Sequence, residues 1–230
     1  MQSYSDLLTK VYDNFEHIKF DRKSKLHLYL VCLYCTIVEL SDTLICLGNN
    51  QKGVAVPTIS RTLLEAYVDL KNLEQNPEHC YNMDSSNIKE WLRVTKAAGN
   101  LENPYLKGLA DLEDFEEQIS EWETELEQLC KDGHPALKQI KKFQNVGMEK
   151  EYRSIYNFLC SESHNNIRSL QGRHMEINAA GDDFKVVAFR EFDNAEEDEH
   201  IQTCRLCLQR ASKAIHIALE TGKDSVFNDT

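Results

Sequence analysis

The chain is short of the residues that interrupt regular structure, with 4 prolines and 9 glycines among 230 residues. That excludes collagen-like and low-complexity chains, and a 41% hydrophobic content excludes a wholly disordered one. No phosphate loop is present, neither G-x-x-x-x-G-K-[ST] nor G-x-G-x-x-G. There is no G-x-S-x-G elbow and no H-E-x-x-H helix. The carboxylate-bridged di-metal motif appears as a single half, Glu197-x-x-His200, where that chemistry needs two copies and two further glutamates. The first ten residues carry Asp6 and no apolar run, so no secretory leader is expected. The longest uncharged apolar stretch, Leu28 to Val38, is followed by Glu39 and Asp42. It falls short of the ~20 residues a spanning helix needs and reads as a buried core helix. Bases are outnumbered, 26 to 38, giving a net charge of −12. Taken whole, that disfavours non-specific binding to nucleic acid or to an anionic membrane.

What is present is helical period almost throughout. Leu7, Leu8, Val11, Tyr12, Phe15 and Ile18 form a first stripe. Lys23 to Leu47 reads as a long helix, apolar nearly all round and therefore central, stopping at Gly48-Asn49-Asn50. Thr58 to Gln75 forms a third helix closed by Asn76-Pro77, and Asn87 to Ala98 a shorter fourth. Leu112, Phe115, Ile119, Trp122, Leu126 and Leu129 line one side of an acidic helix that ends at Gly133. Met148 to Ser163 is another, with Tyr152, Ile155, Tyr156 and Leu159 inward. Asn194 is the expected N-cap of the last helix, ahead of Glu196, Glu197 and Asp198, and Gly222 lies just past its end. The exception is residues 175–192. There Met175–Asn178 and Lys185–Phe189 flank Gly181-Asp182-Asp183 and form either a small β-hairpin or an irregular flap. The expectation is an all-α fold, one bundle of six to eight helices spanning residues 1–230.

Cysteine usage points to a reducing cytoplasm. Two of the eight cysteines form Cys32-x-x-Cys35 and two form Cys204-x-x-Cys207. Both pairs sit in apolar helical patterns without the turn residues of a zinc knuckle, so core packing is expected rather than metal or redox chemistry.

The residues able to carry chemistry lie in three places. Arg61 and Glu65 share the narrow polar face of the third helix. They read either as an exposed ion pair or as the lining of a cleft. On the later helix Tyr156 and Ser163 follow the inward stripe, Arg153 stands beside it, and His164-Asn165-Asn166 ends it. His164 is placed to reach a groove, a carboxylate or the last carbonyls; the plainer reading is a C-cap with Asn165 or Asn166 left-handed. Arg168 and His174 come next. An arginine can hold a phosphate through two donors while a histidine transfers a proton; the plainer reading is a surface loop.

Ser60-Arg61-Thr62-Leu63-Leu64-Glu65 and Tyr156-Asn157-Phe158-Leu159-Cys160-Ser161-Glu162-Ser163-His164-Asn165 together resemble an uncharacterised family of bacterial all-helical proteins. Its pattern is R-x-x-x-E on one helix and a later tyrosine followed by S-H-(P/N/G). The layout is also similar to the HEPN superfamily (higher-eukaryote-and-prokaryote nucleotide-binding), helical bundles that include metal-independent RNases of toxin and phage-defence systems and that often dimerise. Its arginine and following histidine correspond to Arg168 and His174, although Ser169 stands where that pattern carries Asn, His or Asp. These residues, read together with the HEPN-like pair, lead to an expected site of His164, Arg61, Glu65 and His174 as catalytic residues. Arg153, Tyr156, Ser163, Asn165 and Arg168 would bind RNA or a nucleotide, with no metal or cofactor and with a homodimer or partner protein.

Charge patterning bears on this. Asp111 to Asp132 carries −9 and Asp182 to Glu199 carries −6, leaving +3 on the rest. Lys138 to Arg173 carries +4. The candidate residues therefore lie in a locally basic stretch, which permits a phosphate ligand. The alternative is a non-enzymatic interaction module whose acidic helix is a partner-binding face.

Overall fold

Ser3 opens the first helix, α1 (Tyr4–Phe15). Its hydroxyl accepts from the Asp6 N–H while the Asp6 carboxylate accepts from the Ser3 N–H, a reciprocal capping box. The computed structural model describes residues 3–99, 105–111, 114–164, 166–188 and 198–228. Leu112, Asn165, Asn194, Glu196 and Glu197, on which some expectations rest, lie outside those residues. Leu7, Leu8 and Val11 are buried as expected, whereas Tyr12 is exposed, because α1 packs by one edge on two partners.

Ser24 caps α2 (Lys25–Asn49), which packs against α3 (Val56–Gln75) and α11 (Glu199–Ala218) to make the core. By length and composition α2 is apolar enough to cross a membrane. In the fold it buries Leu30, Tyr34, Ile37, Val38 and Leu44 among the helices, and the Tyr34 hydroxyl donates to Ser212 of α11 at 3.0 Å. Leu63, Leu64, Leu70 and Leu73 of α3 and Leu208 and Ile215 of α11 complete this layer. A 3₁₀ turn, Gly53–Ala55, joins α2 to α3.

The helix α4 (His79–Ala98) begins eight residues before the expected Asn87. Its first half is polar, and local pattern gave no reason to bury it. Tertiary bonds supply the reason: His79 meets Asp69, Asn82 donates to the Pro135 carbonyl, and Ser85 to that of His134. After α5 (Lys107–Ala110), the acidic α6 (Phe115–Lys131) lies on α4, with Trp91 and Trp122 in ring contact at 6.3 Å. Only Phe115 of α6 is fully buried.

From α7 (Gln139–Asn145) the chain enters α8 (Glu149–Glu151), a π-helical turn (Tyr152–Tyr156) and α9 (Asn157–Ser163) in continuous succession. α9 packs on α3. A short helix, α10 (Ile167–His174), leads into an antiparallel hairpin of β1 (Met175–Ile177) and β2 (Phe184–Val186). Ile177 pairs with Phe184, and Gly181 (φ +75°) takes the left-handed position in the connection. The open choice between hairpin and flap is thus decided for the hairpin, whose second strand starts at Phe184, one residue before the expected Lys185; Phe189 is outside the described residues. Asp198 caps α11, accepting from the His200 and Ile201 amides. A 3₁₀ strap, Asp224–Phe227, closes on α11 and stacks Phe227 on His216.

The chain is 74% helical with one small sheet, an all-α fold. All eight cysteines are free. Cys204 and Cys207 are buried, and burial pushes the Cys204 thiol up to about 12. Cys32 corrects the expectation of two core pairs: it is exposed.

Candidate functional site

Arg61 and Glu65 stand one turn apart on α3, and Arg61 Nε donates to Glu65 Oε1 at 3.1 Å. The Tyr156 hydroxyl donates to the same oxygen at 2.6 Å from across the α3–α9 interface. The Arg61 guanidinium also lies 5.8 Å from the Tyr156 ring centre. Burial, then the bond to Glu65, pushes the Tyr156 phenol up, so it stays a donor. Tyr156 closes the π-helical turn, and its ring packs on Phe143 and Tyr152 at 5.1 Å from each. A π turn inserts one residue into the helical count and re-aims the side chains C-terminal to it. The arrangement joins two residues of the R-x-x-x-E pattern to a tyrosine 91 positions away.

A groove of about 800 Å³ is a separate feature, and Arg61, Glu65 and Tyr156 are not part of its lining. One wall is the α2–α3 connection, Asn50 to Pro57, and the other comes from α9, α10 and Ala188. Arg168, Gly172, Arg173 and His174 all line it. The Arg168–His174 pair therefore lies on a helix and not on the expected loop. Asn166 is the reason: its Oδ1 accepts from the Ser169 amide and its Nδ2 donates to the Ser161 carbonyl. That makes Asn166 (φ −77°) the N-cap of α10 and not a left-handed residue, while Asn165, the other left-handed candidate, lies outside the described residues. Gly172 does not end the helix, which runs on to His174.

Within the groove each cation has a distinct setting. Arg173 reaches back, donating to the carbonyls of Glu162 at 3.2 Å and His164 at 3.3 Å, and to the Ser169 hydroxyl. It satisfies the C-terminal carbonyls of α9 and so fixes α10 against it. The Arg168 guanidinium lies 5.7 Å from the Phe158 ring centre, and Phe158 in turn stacks on His200 at 5.2 Å. Contact with the ring face orients the guanidinium and leaves its N–H donors in plane for a ligand. His174 Nδ1 lies 3.0 Å from the Val187 carbonyl. A carbonyl only accepts, so Nδ1 carries the hydrogen and the neutral ring has its lone pair on Nε2. Lys52 completes the lining, and among the described residues no acid pairs with Lys52 or Arg168. Glu162 is the acid in the lining.

The remaining expected residues are dispersed. Arg153 is exposed and pairs with Glu149 on its own helix at 2.6 Å. Ser163 donates to the Leu159 carbonyl at 2.6 Å and is occupied within α9. His164 is exposed at the extended C-cap of α9 and lines no part of the groove. Asn165 lies outside the described residues. Lys52, Phe158 and His200 were not anticipated, because nothing in the local pattern marks residues that meet only across three segments. Among the described residues no group of three or more His, Cys, Asp or Glu side chains is arranged to hold a metal ion.

Residues 27–183 match a protein family described as "Family of unknown function (DUF5677)". No curated protein and no solved structure matches the chain.

Proposed function

The chain belongs to this family of unknown function, DUF5677, whose name carries no chemistry, and from the groove we propose that the protein binds RNA and cleaves it without a metal. The observation that carries the reading is that Arg168, His174 and Lys52 line one groove, the first two in the spacing that resembles HEPN ribonucleases. Arg168 and Lys52 neutralise the phosphate. His174 Nε2 takes the proton of the ribose 2′-hydroxyl, which then attacks phosphorus and expels the 5′-oxygen of the next nucleotide. Arg173 positions α10, and the Arg61–Glu65–Tyr156 cluster holds α9 to α3. The cytoplasm, without membrane attachment and in a defence or toxin role, is the setting that fits eight free cysteines and an RNA substrate. A homodimer belongs to the same reading, supported by Ile177, Phe184 and Val186, which the hairpin leaves exposed.

Total RNA incubated with the wild type and with the His174→Ala, Arg168→Ala and His164→Ala variants tests this. Cleavage is expected from the wild type and from His164→Ala, with a loss of about 10²–10⁴-fold in His174→Ala. Undiminished cleavage by both His174→Ala and Arg168→Ala removes the groove from the reaction, and an inactive wild type sinks the nuclease reading. One observation favours the non-enzymatic alternative: α6 buries only Phe115 and exposes Glu116, Glu117, Glu121, Glu123, Glu125 and Glu127, a face suited to a basic partner protein.

A further inference from the structure

A second cavity, of about 270 Å³, lies where α3 ends, α4 begins and α7 ends. Asn72, Gln75, Asn76, His79, Asn82 and Asn145 line it, and it shares no residue with the groove. The lining is uncharged apart from the imidazole and has no aromatic ring other than His79. Beneath it is a buried ionic network. Asp69 Oδ1 takes a bond from His79 Nε2 at 2.9 Å, and Oδ2 one from Lys142 Nζ at 2.8 Å. Burial works to raise the Asp69 carboxyl, but the bonds from His79 and Lys142 outweigh it and hold the group below its ordinary value. An ionised carboxylate only accepts, so His79 Nε2 carries the hydrogen and the neutral ring presents its lone pair on Nδ1.

The hydrogen-bond inventory of the lining is asymmetric. Asn72 spends its Nδ2 on the Val68 and Lys142 carbonyls, and Asn82 spends its Nδ2 on the Pro135 carbonyl. No described residue donates to Asn72 Oδ1, Asn82 Oδ1 or His79 Nδ1. These residues are 4%, 9% and 2% exposed. Three acceptors without a protein donor thus belong to side chains that line one cavity, where the donors of a ligand or water can reach them. At the rim, Asn76 gives its Oδ1 to the Glu78 amide and keeps its Nδ2, while Gln75 and Asn145 are exposed.

That pattern selects a ligand by elimination. Lys142 is committed to Asp69 and no Lys or Arg lines the cavity, so its acceptors repel a phosphate or carboxylate. A nucleobase has no aromatic face to stack on. A cationic amine has no carboxylate to meet, since Asp69 is already neutralised by Lys142. What fits is a small neutral molecule with several O–H donors that can also accept from Asn76, Gln75 and Asn145. The volume is just below that of typical ligand pockets, which begin at about 300 Å³, and suits a molecule no larger than a single sugar ring.

We propose that the cavity lined by Asn72, His79 and Asn82 binds a monosaccharide or cyclic polyol, with its hydroxyls donating to the three acceptors. The test is an NMR titration of the full chain with D-ribose, D-glucose and myo-inositol. Inorganic phosphate and adenosine serve as parallel probes. Gln75→Ala and Asn145→Ala change exposed side chains and leave the fold intact. Saturable shifts confined to the six lining residues are expected with at least one of the three hydroxyl probes, weakened about tenfold or more in the double variant. The proposal is overturned by shifts from phosphate or adenosine alone, by affinity unchanged in the double variant, or by no saturable shift with any of the three up to tens of millimolar. The last outcome means that the cavity holds ordered water only.

Discussion

Glu65 Oε1 accepts from both Arg61 and Tyr156, and the two donors play unequal parts. Removing Tyr156 to Phe leaves the carboxylate still paired by Arg61, so Tyr156→Phe should lower unfolding free energy in urea by only about 1 kcal/mol. A loss several times larger means that the phenol supports more than one bond. Asp69 is the opposite case, a buried carboxylate between two donors. Asp69→Asn leaves Lys142 without its counter-charge and should cost about 3 kcal/mol at neutral pH. Its acid dependence comes from the depressed carboxyl. Because the folded value lies below the ordinary 3.8, the stability it supplies is complete above that value and is lost as the pH falls through the folded one. Urea midpoints of the wild type should decline below about pH 4, and the decline should be shallower in Asp69→Asn. Equal acid limbs in the two proteins exclude Asp69 as a source of that dependence.

At the scale of elements, α10 shows why the Arg168–His174 pair is helical. Eight residues with Gly172 among them are a poor isolated helix. Asn166 caps one end, the Ser169 hydroxyl donates to the Glu162 carbonyl at 3.2 Å, and Arg173 ties the segment to the end of α9. Asn166→Ala should therefore cost about 1 kcal/mol and lower amide protection through α10 before it affects α3, as hydrogen exchange can read. Uniform loss of protection across the bundle contradicts a local cap. The π-helical turn is the other element with a tertiary cause. Tyr152 and Tyr156 both pack on Phe143, and that stacking, together with the Glu65 bond, compensates the irregular turn. The α4 start belongs here too. His79, Asn82 and Ser85 look like loop residues in sequence and become helical interior only because α3 and the 134–135 segment supply partners.

For the whole molecule the net charge of −12 misdescribes the surface a ligand meets. α6 and the sequence around 182–199 carry the acidity, while Lys52, Arg168, Arg173 and His174 gather on one groove. The RNA binding proposed for this groove should weaken as salt rises, and Lys52→Ala should reduce the slope of log affinity against log salt by about 1. A slope unchanged in Lys52→Ala removes that lysine from the phosphate contacts.

Local pattern determined the helices, and with them the all-α class. Helical periodicity is written in neighbouring residues, and burying one apolar stripe per helix leaves few architectures. The central place of α2 and the pair Arg61–Glu65 were legible for the same reason, whereas Arg168–His174 was marked by its spacing alone and its helix was not foreseen. Tertiary structure decided which of those residues meet. It joined Tyr156 to Glu65 and brought Lys52 opposite Arg168, and it left Arg153, Ser163 and His164 out of the groove. It also drew Asn72, His79 and Asn82 around a cavity that no motif announces. Such meetings depend on the crossing of distant helices and on where buried polar groups find partners, and neither is encoded in the spacing of any one segment.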